Sequence, residues 1–388
     1  ACALGGRGLT VGLVDAHPLG ADHHPGYDER TLALSLGTRR IFATLGLWPQ
    51  LAEEATPIHK IHISDRGRPG IAHLDCREEG VDALGYVIPA RVIGTALAQR
   101  LEGLEGVEML MPATLETVDI QPQVARAVIN TGEGQSRRLE ARLLVAADGA
   151  RSRVREQLGI DTLHWDYGQS AVIANVTPRY SHDNVAYERF TPAGPLALLP
   201  LSGDRCAVVC TVERDRVEEV LALDERGFAE MLLERFGDRL GAFQRVGGRQ
   251  AYPLYLVKSR EHVRPRVAVI GNAAHTLHPI AGQGFNLGIR DVATLAEVVA
   301  DAHGAGRDFG SLTLLERYGD WRRWDQRRTI AFTDGLARLF GNPLPPVAAA
   351  RNLGLLAFDL LPPAKRWLAR QAMGLDGRLP RLARGLPL

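Results

Sequence analysis

Between Gly271 and Asp291 the chain reads GNAAHTLHPIAGQGFNLGIRD, a stretch whose spacing suits neither a helix nor a strand. Gly282 and Gly284 bracket Gln283 just before an apolar periodic run that begins at Phe285. Glycines let a main chain approach a flat ligand without a Cβ collision. A helix N-terminus adds positive potential and outward-pointing N–H groups. A ligand that becomes negative while it reacts gains most from donors fixed in place beforehand; the reduced isoalloxazine ring of a flavin is such a ligand. Asn272, at the carboxyl end of the apolar run RVAVI, stands where its amide can bond a polyol chain. His275 and His278 share this loop and are the candidate proton acceptors for a substrate hydroxyl, a capping or packing role being the competing reading for each.

A second chemical signal lies near residue 15, where TVGLVD reads as a strand ending at Asp15. In a dinucleotide-binding βαβ unit an acid at that place accepts from a ribose hydroxyl, and the glycine fingerprint precedes it by about 20 residues. This spacing puts a first strand and its glycine turn ahead of Ala1, with ACALGG as the end of a small-residue helix. A solvated strand end is the plainer reading of Asp15.

These groups need a frame. With 388 residues, 45% hydrophobic and 23% charged, the chain can bury two cores or one elaborated one. A net charge of +1 excludes a general nucleic-acid binder. Four cysteines make no disulfide scaffold; Cys206 and Cys210 in CAVVC face one side of a strand and read as buried thiols in a reducing, cytoplasmic setting. VAAARNLGLLAFDLL is broken by Arg351, Asn352 and Asp359, so no apolar run spans a bilayer, and there is no signal-peptide pattern. His59 and His62 have no partner at ligand spacing, and no metal site is expected.

In chain order the pattern predicts a polar connection over 16–30 and a helix capped by Ser35 that ends near Gly46. HKIHISD follows as a strand with Ile61 and Ile63 turned inward, then a helix over IPARVIGTALAQRL. A strand pair comes next, and RRLEARLLVAADGARSRVREQLGI reads as strand, tight turn and helix. From Trp165 to Tyr255 short β-runs alternate with Pro/Gly turns around one helix, DERGFAEMLLERFG. RVAVIGN is again a buried, parallel-type strand, and the remainder is helical. WRRWDQRR places Trp321 and Trp324 partly inside, with the arginines on a solvated face.

The same residues carry a resemblance. GNAAHTLHPIAGQGFNLGIRD is similar to the second FAD motif of the class A flavoprotein aromatic hydroxylases, the para-hydroxybenzoate hydroxylase-like group. LLVAADGARSRVR resembles their Asp-Gly motif, and DERTLALSLGTRRIFATLGLW resembles the segment whose arginine touches the cofactor. The likeness covers nearly the whole chain and is strongest to the ubiquinone-biosynthesis branch, through SAVIANVTP, ERFTPAGPLALLPLSGDRC and the loop itself. It implies that Asp15 binds the adenosine ribose and that Arg30 contacts FAD. Asp148 and Gly149, with Arg151 beside them, would serve both FAD and the pyridine nucleotide. Gly271, Asn272, Pro279, Gly282, Gln283 and Gly284 would surround the flavin. Asn272 departs from the aspartate common in the wider group, yet an amide keeps an acceptor and adds donors, so binding is expected to persist.

The fold so implied is α/β: a Rossmann-like, glutathione-reductase-like FAD-binding domain with an inserted antiparallel β-sheet substrate domain and a helical C-terminus. Its boundaries fall at 1–164 with a short β excursion to the substrate sheet near 58–88, 165–255, 256–330 and 331–388. The activity implied is hydroxylation of a polyprenylated phenol such as 2-polyprenyl-6-methoxyphenol, with NAD(P)H reducing FAD and O2 supplying the oxygen atom. GPLALLPL would give an apolar ceiling to the prenylated ring. A prenyl-chain reductase and a non-catalytic lipid-quinone scaffold are the alternatives. The absence of WxWxIP and of a CxxxxC pair counts against flavin halogenases and disulfide oxidoreductases. From Ala364 onward six basic residues face one acid, and Leu361, Ala364, Leu368 and Ala372 fall at helical spacing. This suggests a tail docking to the inner membrane face, or to other proteins of the same pathway, against the alternative of a solvated helix.

Overall fold

The computed structural model describes residues 1–19, 30–131, 134–342 and 344–388. Most of the connection expected over 16–30 lies outside them. Helices α1 (Leu36–Thr44), α2 (Trp48–Ala52), α3 (Ala90–Glu102) and α4 (Arg153–Gln157) accompany the early strands. α5 (Val217–Ala222) and α6 (Glu225–Phe236) interrupt the β-rich middle. α7 (Gln283–Gly304), α8 (Leu312–Gly341), α9 (Pro345–Asp359) and α10 (Pro362–Ala372) make up most of the last third. Ser35 caps α1 by accepting from the Thr38 N–H at 3.2 Å, and Gly46, at φ 75°, turns the chain just beyond it.

The middle of the chain forms a nine-stranded sheet. Thr162–Pro178 lies between Gln250–Ser259 and Cys206–Glu213, and the order continues through Gly194–Pro200 and Val185–Thr191 to Lys60–Asp65 and Ile71–Asp75. Its pairings are antiparallel except that Val185–Thr191 runs parallel to Lys60–Asp65. A hairpin from early in the chain therefore completes a sheet otherwise built of later residues.

Period-two alternation gives this sheet two different faces. Leu196, Leu198, Val208 and Cys210 turn toward Phe228, Leu232 and Phe236 of α6, which makes one apolar core. Ile61, Ile63, Ala186, Glu188, Phe190, Ala197 and Leu199 turn the other way, into a large cavity. Half of GPLALLPL thus lines the cavity and half is ordinary sheet core. Ile61 and Ile63 turn inward onto the cavity, while the fully buried side chains of that strand are the polar His62, Ser64 and Asp65. His62 sits behind the sheet, its Nδ1 2.8 Å from His73 Nε2, and burial lowers its pKa to about 4.

Two parallel pairings lie on the other side of the cavity. Val11–Val14 pairs with Val107–Leu110, and Leu144–Ala146 pairs with Val267–Val269. The long helix α7 packs behind them on α1, α3 and α8. The chain after α10 is not a free tail. Leu382 and Ala383 are fully buried among α1, α3 and α7, and Ala369 and Met373 join another core cluster. Arg381 bridges to Glu297, and Arg378 stacks 3.6 Å over Trp321. The segment after Ala364 is thus packed on the body of the protein over much of its length, while Leu361, at the head of the expected apolar stripe, is 54% exposed. In α8 Trp321 is partly buried and Arg323 and Arg327 are exposed as expected, whereas Arg322 is 3% exposed and Trp324 68%.

Candidate flavin site

A cavity of about 1430 Å³ separates the sheet from the N-terminus of α7. Ordinary small-molecule sites measure about 300–1,000 Å³. This one has room for two ligands side by side. Asp15, Arg30, Gly149, Gly271, Asn272, Pro279, Gly282, Gln283 and Gly284 all line it, so sequence-distant candidates converge on one space.

The loop is shaped by backbone that ordinary residues avoid. Gly271 has φ +58°, and Ala281 and Gly282 are successive left-handed residues at +58° and +57°. At Gly282 a Cβ would press to 3.1 Å from Ala33 Cβ, and φ +57° adds backbone strain for any side chain. At Gly271 and Gly284 a Cβ would meet nothing within 4 Å, because the space beside them is the cavity. These are bare walls against which a flat ring can lie.

Asn286 holds this corner together, a role the sequence pattern did not reveal. Its Oδ1 accepts from the Ser35 N–H at 2.8 Å and the Thr38 hydroxyl at 2.7 Å. Its Nδ2 donates to the carbonyls of Ala33 and Gly282, both at 2.8 Å. A buried amide with both ends satisfied thus ties the loop to the Thr31–Ser35 strand. The available signal was a polar residue inside the apolar run of α7.

The expectation for His275 is corrected here. It is fully buried away from the cavity wall, and its Nε2 lies 2.6 Å from Asp291 Oδ2. Asp291 also accepts from Arg322 Nε at 2.7 Å, from Gln326 at 3.0 Å and from the Gly271 N–H at 3.3 Å. Burial alone would raise the Asp291 pKa; the His275 and Arg322 charges outweigh it and hold the carboxyl well below the usual carboxylate range. This anion anchors the turn that presents Asn272, so His275 serves the loop's shape. His278 is likewise buried, edge-on to Tyr167 at 5.1 Å, and burial lowers its pKa to about 4. It does not line the cavity either.

The remaining candidates divide. Asp15 Oδ1 accepts from the His17 N–H at 2.9 Å, and the Arg30 guanidinium lies 5.2 Å over the Tyr252 ring. Gly149, at φ +80°, exposes its backbone to the cavity. Asp148 is not on the cavity wall; it accepts from the Val154 N–H at 3.1 Å and so shapes the turn into α4.

Glu188 is the residue the sequence did not single out. It projects from an otherwise apolar stretch of sheet, opposite Ile63 and Ala197, and the Ala281 N–H of the loop donates to it. The surface it leaves accessible opens into the cavity, and desolvation raises its pKa to about 7 despite that hydrogen bond. A carboxyl with that pKa is suited to exchanging a proton near neutrality.

Bare turns with Asp15 and Asn272 line one end of the cavity and apolar sheet lines the other. The FAD-binding domain family model matches residues 1–333, and the chain belongs to that family, as a class A flavoprotein monooxygenase. Ubiquinone hydroxylase UbiL of Rhodospirillum rubrum is 40% identical across all of this chain and 90% of its own length. The 3-demethoxyubiquinol 3-hydroxylase of Escherichia coli is 31% identical over 97% of this chain and 95% of its own. Among solved structures, p-nitrophenol 4-monooxygenase PnpA of Pseudomonas putida superposes with a TM-score of 0.80, covering 97% of this chain and 95% of that one at 21% identity. The fold is shared with that enzyme.

Proposed function

We propose that the chain hydroxylates a polyprenylated phenol in ubiquinone biosynthesis, using NAD(P)H and O2. The observation that carries this reading is the cavity, glycine-walled at one end and hydrocarbon-walled at the other, with space for a cofactor and a second ligand. Bound FAD supplies the redox chemistry, accepting electrons from NAD(P)H and activating O2. Asp15, Arg30 and Asn272 would hold its polar arm, and the backbone amides near Gly282–Gly284 would stabilise the negative charge that its ring acquires on reduction. Ala197, Leu199 and Phe190 press the phenol toward that edge and keep water out, which protects the oxygen-transfer step from unproductive loss.

Glu188 is placed to take the phenol proton. Its carboxylate accepts the hydroxyl hydrogen, the ring gains electron density, and the carbon to be oxygenated becomes a better nucleophile. The Ala281 N–H steadies the carboxylate in the meantime.

A product assay tests the reading: FAD-loaded protein with NAD(P)H, O2 and a prenylated methoxyphenol. A product heavier by one oxygen atom is expected. NAD(P)H oxidation with only hydrogen peroxide, or a saturated side chain, refutes it.

A further inference from the structure

Helix α9 is amphipathic the wrong way round. Its three polar side chains point into the protein. Arg351 Nε donates to Asp65 at 2.9 Å, and its Nη1 reaches the carbonyls of Leu339, Phe340 and Asn342. Asn352 donates to Asp65 at 3.0 Å and accepts from the Gly70 N–H at 2.7 Å, while Asp359 accepts from the His73 N–H at 3.0 Å. The outer side is hydrocarbon: Leu353 is 67% exposed and Leu356 39%, with Leu360 just beyond at 79%. In water this arrangement is the reverse of what stabilises a surface helix.

What covers that face follows from its neighbours. Gly354 and Leu355, on the same helix, line the cavity, and so do Leu339 and Trp367, which are 41% and 46% exposed. The cavity wall and the bare leucine stripe are therefore continuous. α10, which follows directly, carries Lys365, Arg366 and Arg370 and no acid. Lys365 bridges Glu78 and Asp359. Hydrocarbon flanked by cations matches the surface of an anionic lipid bilayer. A second copy of the chain on this face would bury the cavity rim as well.

We infer that the α9 leucine stripe, Leu353, Leu356 and Leu360, seats the protein in an anionic phospholipid leaflet with the cavity rim against the lipid. The inference rests on the lipid-substrate reading above and gives that substrate its way in. A prenyl chain then passes from bilayer to cavity without crossing water. Among the described residues no helix is long and apolar enough to span a membrane, so the contact is one leaflet deep.

The test is vesicle flotation of the full FAD-loaded chain and of the triple variant L353N/L356N/L360N, whose changes lie outside the cavity lining. With phosphatidylcholine–phosphatidylglycerol vesicles the wild type floats, and the variant's bound fraction falls about tenfold. Its FAD content and its rate on a short-chain, water-soluble phenol stay unchanged. Equal flotation of the two proteins overturns the inference. So does a wild-type dimer in solution that the variant loses, which would assign the face to a second copy. Flotation is scored without turnover, so a protein that floats yet hydroxylates nothing refutes the substrate reading and leaves the docking face standing.

Discussion

At the residue scale the account turns on Glu188 and Asp291, two acids pushed in opposite directions. Desolvation raises Glu188 to about 7, so its ionised form grows in as pH rises through neutrality. Glu188→Gln keeps an acceptor for the Ala281 N–H but cannot take a proton. Hydroxylation should fall roughly 10²-fold and lose its rise near pH 7, with FAD affinity intact; an unchanged pH–rate profile removes Glu188 from the reaction. The raised pKa also means that this site favours folding at low pH and loses that contribution as pH climbs through 7. Asp291 has a depressed pKa, so its contribution is present above about pH 4 and is lost as pH falls through the lower folded value. Asp291→Asn should cost about 3 kcal/mol, because His275 and Arg322 lose their shared buried anion and Arg322 keeps only Asp325. Denaturant melts at pH 7 measure it, and a loss below about 1 kcal/mol contradicts the anchoring role.

At the element scale the decisive part is the turn into α7. Its glycines were readable because a strand, a bare turn and an apolar helix follow one another without interruption. Gly284→Val places two methyl groups in the cavity, and FAD affinity should drop at least about tenfold. Normal flavin stoichiometry in the purified variant would displace the ring from this corner. Asn286→Ala should cost about 3 kcal/mol by stranding buried partners on the loop and on the Thr31–Ser35 strand, read as a lowered denaturation midpoint. Unaltered stability would deny it the tying role. Neither Asn286 nor Glu188 was legible in advance. Asn286 matters through residues some 250 positions away, and Glu188 faces the cavity only because its strand pairs in one register with Lys60–Asp65 and Gly194–Pro200. A one-residue slip would bury it against α6 instead. The histidines misled for the converse reason: loop position was visible, while the claims of Asp291 and Tyr167 on them were not.

At the scale of the whole molecule, two unlike surfaces face each other across one cavity. A sheet supplies hydrocarbon, and the strand-to-helix turns supply backbone amides. The order of motifs made the α/β class and the β-rich insertion legible, since periodicity changes where the sheet begins and ends. The early excursion to the substrate sheet was expected from the resemblance; its parallel pairing with Val185–Thr191, a long-range contact, is not encoded in local pattern. The inverted face of α9 was hidden similarly: its three polar residues argued only against a membrane span until their inward partners were known. The central claim is that this cavity joins a flavin to a phenol and transfers oxygen between them. Turnover of a prenylated methoxyphenol under ¹⁸O2 by the FAD-loaded protein with NAD(P)H tests it most directly. The account predicts one labelled oxygen atom in each product molecule, and product formed without label would contradict it.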